Sequence, residues 1–301
     1  MIQNLTPERV RLGVTPTLWW NDDFPLIDIG IPFGQCVSEM ALAGFQGCSI
    51  GHKYPKDPAE LKAALELRSL RVSEPWTSTY FTINGMEQQT IDAFEETLSF
   101  IKAAGGTELV VAELGGSSHV LPIALFDNRP VFDDRQWEQL ANGLNRLGKI
   151  AVDSGMRLSY HHHMGTGVMT RADVDRLMAS TDPGLVHLLL DTGHMAFAGD
   201  DPVAAAQAYA DRIGHVHLKD IRPEVVSRVR EERLSFQQGI ENGVFTVPGD
   251  GALDFVPVLE ALGSAGYEGW LVVEAEQGPA KANPLEYALK ARAYLREVLG
   301  W

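Results

Sequence analysis

Three observations predict a (β/α)8 barrel of the TIM type, an α/β fold. Apolar runs of strand length alternate with segments of helical period, eight units along 301 residues. No GxGxxG or Walker-type glycine loop follows the first strand, which removes the commonest support for a doubly wound sheet. Chemistry-bearing residues collect at the ends of four successive strand-like runs, where a barrel carries its active site.

The elements follow in order. RLGVTP (11–16) is the first strand, and 32–44 is a helix closed by a glycine. FQGCSIG (45–51) precedes a helix over 57–70, with Asp57 as N-cap and Pro58 at N1. LRVSEPW (70–76) is strand three, with its helix over 87–104. TELVVAE (107–113) and a helix over 133–155 form the fourth unit. MRLSYHHH (156–163) leads to a helix over 170–181 capped by Thr170. LVHLLLDTGH (185–194) precedes 201–212, IGHVHLKD (213–220) is strand seven, and GWLVVEAE (269–276) precedes the last helix, 284–299. No repeat or linker divides the chain, so residues 1–301 are expected to be one domain. The irregular piece at 221–252 has mixed charges and follows a strand's C-terminal end. It is expected to be a surface helix plus loop over the mouth of the barrel.

Composition narrows the class. The chain is 45% hydrophobic and 22% charged, the profile of a soluble globular protein. No apolar run approaches the ~18 residues of a membrane span, and the N-terminus lacks a signal peptide's pattern. A cytoplasmic location is expected. A net charge of −15 repels phosphate backbones and disfavours nucleic acid as a partner. Cys36 and Cys48 are too few for a disulfide framework and read as small buried hydrophobes.

Side chains alternate faces along a strand, so His161 and His163 share one face and His162 takes the other. By the same parity His215, His217 and Lys219 go together, as do Glu274 and Glu276. With Asp191, an imidazole, a carboxylate, an imidazole and a carboxylate then arrive from four consecutive strands. Such a set suits a borderline divalent ion such as Mn²⁺, Co²⁺ or Zn²⁺, with room for water or substrate. Each residue also has a plainer role: a strand-end histidine is commonly just hydrogen-bonded, and Asp191 before Thr-Gly can cap a helix. A glutamate inside LVVEAE is harder to dismiss, because burying an unpaired carboxylate is costly. Elsewhere, His52 and Lys53 after strand two, and Glu74 and Trp76 on strand three, could meet a polyol. His119 is divided between site and surface, and His187 is structural. Trp19 and Trp20 leave two roles open, lining the mouth or forming a contact between copies in a homo-oligomer.

TPTLWWNDDFPLIDIG, EMALAGFQGCSIGHKYPKDP, LRVSEPWTSTYF, LSYHHHMGT, LLLDTGH, HVHLKD, VPGDGALDF and WLVVEAEQ together resemble the myo-inosose-2 dehydratase family. That family lies within the xylose-isomerase-like barrel superfamily, and the likeness runs from about residue 10 to the C-terminus. It implies a hydro-lyase acting on a cyclic polyol ketone, 2-keto-myo-inositol, in inositol catabolism. It implies metal ligands at His161, Asp191, His217 and Glu274. Mn²⁺ or Co²⁺ is the implied ion, with Zn²⁺ or Mg²⁺ as further candidates, and a glutathione requirement that no feature of the sequence explains. The superfamily's commoner strand-five ligand is a glutamate in an E-x-H motif, where this chain has His161-His162-His163. The ligand there is His161 by alignment, with His163 as the other candidate. Related ketose epimerases and isomerases are understood to shuttle a proton between two metal-bound glutamates. An imidazole tied to the ion cannot be one of those bases, which favours dehydration over the alternative, a sugar or inosose isomerase or epimerase.

For dehydration the acid–base candidates are His163, His194, Lys219 and Glu276. His163 or Glu276 is expected as base, and Lys219 as partner of the oxyanion or leaving group. Asp220 and Asp250 would bind substrate hydroxyls, or orient Lys219 and cap the following loop. A metal-dependent endonuclease would need further ligands and a basic face, and a polyol-binding protein without chemistry would not need the full ligand set.

Overall fold

The computed structural model describes residues 2–301. Eight parallel strand positions close into a barrel. Strand one is Val10–Val14, strand two Gly47–Cys48, strand four Glu108–Glu113, strand five Arg157–His161, strand six His187–Asp191, strand seven Ile213–Leu218 and strand eight Gly269–Val273. Strand one pairs with strand eight in register Val14↔Val273, and each later strand lies beside its sequence neighbour. Closure runs through strand three, which is split. Its first half, Arg71–Val72, pairs with strand two, and its second half, Trp76–Thr79, pairs with strand four. Pro75 cannot donate a ladder hydrogen bond, so the break falls where its N–H is missing. The expected strand over 70–76 therefore stops early, resumes, and runs three residues further than its composition suggested.

Local chemistry sets most helix ends. Asp57 accepts from the Ala59 and Glu60 amides and starts Pro58–Glu66, shorter than the expected 57–70. The turn after it holds Ser69 in the left-handed region, at φ 57°. Thr170 forms a reciprocal capping box with Asp173 at the head of Arg171–Ser180. The helix expected at 133–155 spans Asp134–Asp153, and that at 201–212 spans Pro202–Tyr209. Strand six ends at Asp191 rather than 194, because Asp191 caps a helix, Thr192–Ala198, that starts at once. Strands five, seven and eight likewise end at His161, Leu218 and Val273, so His163, Lys219, Glu274 and Glu276 sit just beyond ladder hydrogen bonding.

The piece at 221–252 is more ordered than a surface helix plus loop. It carries two helices, Pro223–Glu231 and Phe236–Glu241, and Phe245–Thr246 pairs antiparallel with Asp220–Ile221. It is not a surface feature either. Val229, Phe236, Ile240 and Phe245 are buried in an apolar cluster with Phe24, Leu125, Met164, Met169 and Phe197. This cluster lies over the mouth, as its position after strand seven required. Cys36 and Cys48 are both free and buried in the main core. Trp19 and Trp20 are fully buried too, so neither lines the mouth nor is exposed for a contact between copies. Among the described residues no helix is long and apolar enough to cross a membrane.

Gly148 marks how closely the fourth helix lies on the chain entering strand six. A Cβ there would stand 2.4 Å from the Leu185 carbonyl oxygen. Backbone cannot yield as a flexible side chain does, so Gly148→Ala is expected to destabilise by about 1–3 kcal/mol. A urea melt checks this, and an unchanged midpoint would contradict the close approach.

Candidate active site

The cavity at the C-terminal mouth holds about 760 Å³, part of it open to solvent. Glu74, Trp76, His161, His163, His217, Glu274 and Glu276 line it. Their convergence follows from barrel geometry and strand parity: each stands at or just past a strand end, facing inward.

Asp191 organises the floor with two oxygens doing different things. Its Oδ1 accepts the His194 amide at 2.8 Å and caps the helix after strand six. Its Oδ2 is buried without a hydrogen-bond donor. That oxygen faces His161 Nε2 and His217 Nδ1, each at 3.5 Å, and Lys219 Nζ at 3.4 Å. The plain role and the functional one thus fall on the same side chain. His217 Nδ1 also meets Glu274 Oε2 at 2.7 Å. Ligand-capable atoms of His161, Asp191, His194 and Glu274 all lie within 4.8 Å of one another. An orphaned buried carboxylate oxygen and this mixed nitrogen–oxygen donor set fit a divalent metal ion. His161, Asp191, His217 and Glu274 would hold it, and His194 stands close enough to join.

Lys219 is completely buried between the carboxylates of the floor, 3.0 Å from Glu274 and 2.9 Å from Glu276. It also donates to His194 Nε2 at 2.9 Å and lies 4.4 Å from the centre of the Phe245 ring. Burial alone would push its ammonium down, but Asp191, Glu274 and Glu276 outweigh burial and its pKa rises. Burial pushes the Glu276 carboxyl up to about 7, with Lys219 opposing and Glu274 adding to the rise. Burial, with neighbouring imidazoles and Lys219, holds His163 and His194 well below the ordinary histidine value, so both are neutral at pH 7. In neutral His163, Nδ1 donates to the Met164 carbonyl at 2.9 Å, which leaves Nε2 with its lone pair.

The geometry now carries comparison with known proteins. The family model for xylose isomerase-like TIM barrels matches residues 35–298. Over 97% of this chain and 98% of the relative, the sequence is 53% identical to an inosose dehydratase of Geobacillus thermodenitrificans. The chain belongs to the inosose dehydratase family. An inosose dehydratase of Clostridium botulinum is 49% identical over 96% of this chain and 97% of that one. A solved IolI protein with a bound zinc atom superposes with a TM-score of 0.71. It covers 96% of this chain and 98% of that chain at 15% identity, a likeness of fold.

Within this inosose dehydratase fold, several expected site residues lie elsewhere. His52 is half-exposed and bonds Asp22 through both its amide and Nδ1 (2.9 and 2.5 Å). It thus holds the rim rather than lining the cavity. Lys53 is tied to Asp28 and the Ile31 carbonyl and lies over the Trp20 ring. Asp220 accepts the amides of Ile221, Gly251 and Leu253, so it ties the loop down as its alternative role required. Asp250 is engaged by Arg222, Thr246 and Lys290, away from the cavity. His162 faces away from the cavity and accepts the Asp191 amide at Nε2, a structural contact in accord with parity. Trp76 turns ring edges toward His161 and His163, at 5.5 and 5.7 Å.

Other lining residues were missed. Thr15, Thr17, Asn21, Asp22, Asp23 and Ser49 form the polar wall. The Asn-Asp-Asp run after strand one was their signal, since that loop also opens on the mouth. His119 is buried, 5.4 Å from the His163 ring and bonded to Ser117. Fully buried His215 faces Glu74.

Removing His161 takes a nitrogen donor from the floor, whereas removing His162 takes none. His161→Ala is expected to weaken Mn²⁺ binding at least tenfold by calorimetric titration, and His162→Ala to leave it within about twofold. The reverse result would mean the register of strand five is wrong.

Proposed function

We propose that the protein removes water from 2-keto-myo-inositol, giving a trihydroxycyclohexane-dione, as a step of inositol catabolism with Mn²⁺ or Co²⁺ at the strand-end centre. Membership of the inosose dehydratase family carries this reading, and the Lys219–Glu276 pair beside a neutral His163 supports it chemically. A bound divalent ion would supply Lewis acidity toward the substrate ketone, making the adjacent C–H more acidic.

The chain's own residues do the rest. His163 Nε2, unprotonated and facing the cavity, takes the proton from the carbon beside the ketone. Glu276, whose pKa of about 7 lets it carry a proton, delivers it to the β-hydroxyl as the C–O bond breaks. Lys219 holds that carboxyl by a 2.9 Å hydrogen bond and stabilises negative charge as it develops. One proton leaves carbon for His163, one leaves Glu276 with the hydroxyl, and the enol formed tautomerises to the dione. Thr15, Asn21 and Ser49, with the rim carboxylates Asp22 and Asp23, present the groups that substrate hydroxyls require. Phe236 and Phe245 close the far side, their rings 5.3 Å from His163 and 5.1 Å from His194, and exclude water there.

An epimerase would return a proton to the opposite face through a second carboxylate at the strand-five position. That position carries His161, 3.5 Å from Asp191. Both cysteines are buried with thiol pKa values pushed up by burial, Cys48 to about 12, so they are poor targets for oxidation. A glutathione requirement in this chain would therefore act on the metal.

Incubating the metal-loaded protein with 2-keto-myo-inositol is expected to yield a product lighter by one water in mass spectrometry. Conservation of mass would defeat the reading in favour of isomerisation. Glu276→Gln is expected to lower kcat by about 10²–10⁴-fold while metal content stays at the native level. Asp250→Asn, outside the cavity, is expected to leave kcat/KM within about twofold.

A further inference from the structure

Glu74 is the one cavity carboxylate to which the mechanism gives no role, and its surroundings are unlike those of the others. It sits in the break of strand three, where its carbonyl accepts the Ile50 amide and Pro75 follows. The break turns its side chain into the barrel, where it is buried. There it meets two imidazoles from strand seven. Oε1 lies 3.3 Å from His217 Nε2, and Oε2 lies 3.3 Å from His215 Nε2. Oε2 has no better-aligned donor.

The two nitrogens of His217 thus face different surroundings. Nδ1 faces Asp191 Oδ2 and Glu274 Oε2, the oxygens of the metal-ion floor. Nε2 faces only Glu74. A ring can offer a lone pair to an ion on one nitrogen only if the other keeps its proton, and a buried carboxylate needs that proton as a donor.

We propose that Glu74 is a positioning residue. It holds the Nε2–H of His217, fixes the ring's tautomer and tilt, and so presents Nδ1 to a divalent ion shared with Asp191 and Glu274. His215 completes the arrangement by holding the second oxygen of Glu74, which keeps the carboxylate from swinging into the cavity. Glu74 on this view does not touch substrate, although it borders the cavity. The inference rests on the metal-centre reading above and deepens it.

Metal-stripped native protein and Glu74→Gln are titrated with Co²⁺, reading the dissociation constant and the visible absorption of the bound ion. The expected result is stoichiometric uptake by the native chain, with affinity about 10–100-fold weaker and an altered spectrum in Glu74→Gln. Native affinity and spectrum in the variant, with activity lost through KM alone, would make Glu74 a substrate contact and overturn the proposal. No uptake by the native chain would remove the centre itself, and the inference with it. Should Glu74→Gln fail to fold, nitrogen NMR of the native Zn²⁺-loaded protein decides without a substitution. The expected spectrum shows His217 protonated at Nε2 and metal-bound at Nδ1, and the opposite assignment overturns the proposal.

Discussion

The structure depends on keeping Glu74, Asp191, Glu274 and Glu276 together in a nearly dry barrel mouth with one lysine among them. Isolated buried carboxylates are strongly disfavoured, so each must find a cation, a donor or a proton. Lys219 answers three of them at 2.9–3.4 Å. His215 and His217 answer Glu74, and burial keeps Glu276 close to neutrality. A divalent ion would offset most of the remaining negative charge, which ties the stability of this floor to its chemistry.

Several side chains at this site serve architecture and chemistry with different atoms. Asp191 caps a helix through Oδ1 and leaves Oδ2 facing the imidazoles. The ordering that the cap enforces is what aims the free oxygen. His163 uses Nδ1 on a neighbouring carbonyl and keeps Nε2 for the cavity. In each case a backbone hydrogen bond sets the orientation of a reacting atom, a low-entropy way to preorganise a site.

The 221–252 segment explains how such a polar floor stays dry. Its phenylalanines pack on Phe197 and Met164, beside the catalytic imidazoles. An apolar wall lowers the local dielectric, strengthens the Lys219 interactions and raises the Glu276 carboxyl. The mixed charges that made this segment read as surface belong to its outer face, where Arg228 pairs with Glu232. Sequence composition averages the two faces of a helix, so the buried one was hidden.

By itself the sequence determined the alternation of units, the caps at Asp57 and Thr170, and the parity that separates His162 from His161 and His163. These are local: a turn's chemistry or a period of two is written in adjacent residues. The identity of the floor residues was legible for the same reason, since strand ends in a barrel share one mouth. Only the tertiary structure decided that His52, Lys53 and Asp250 serve the rim and loops. Only it decided that Glu74 reaches across to His217, and that Lys219 is shared among three carboxylates. Residues 143 positions apart meet there, and such a meeting is set by how the barrel closes and where strand three breaks. No local pattern encodes that closure distance, which is why the partners of each charge had to be read from the fold.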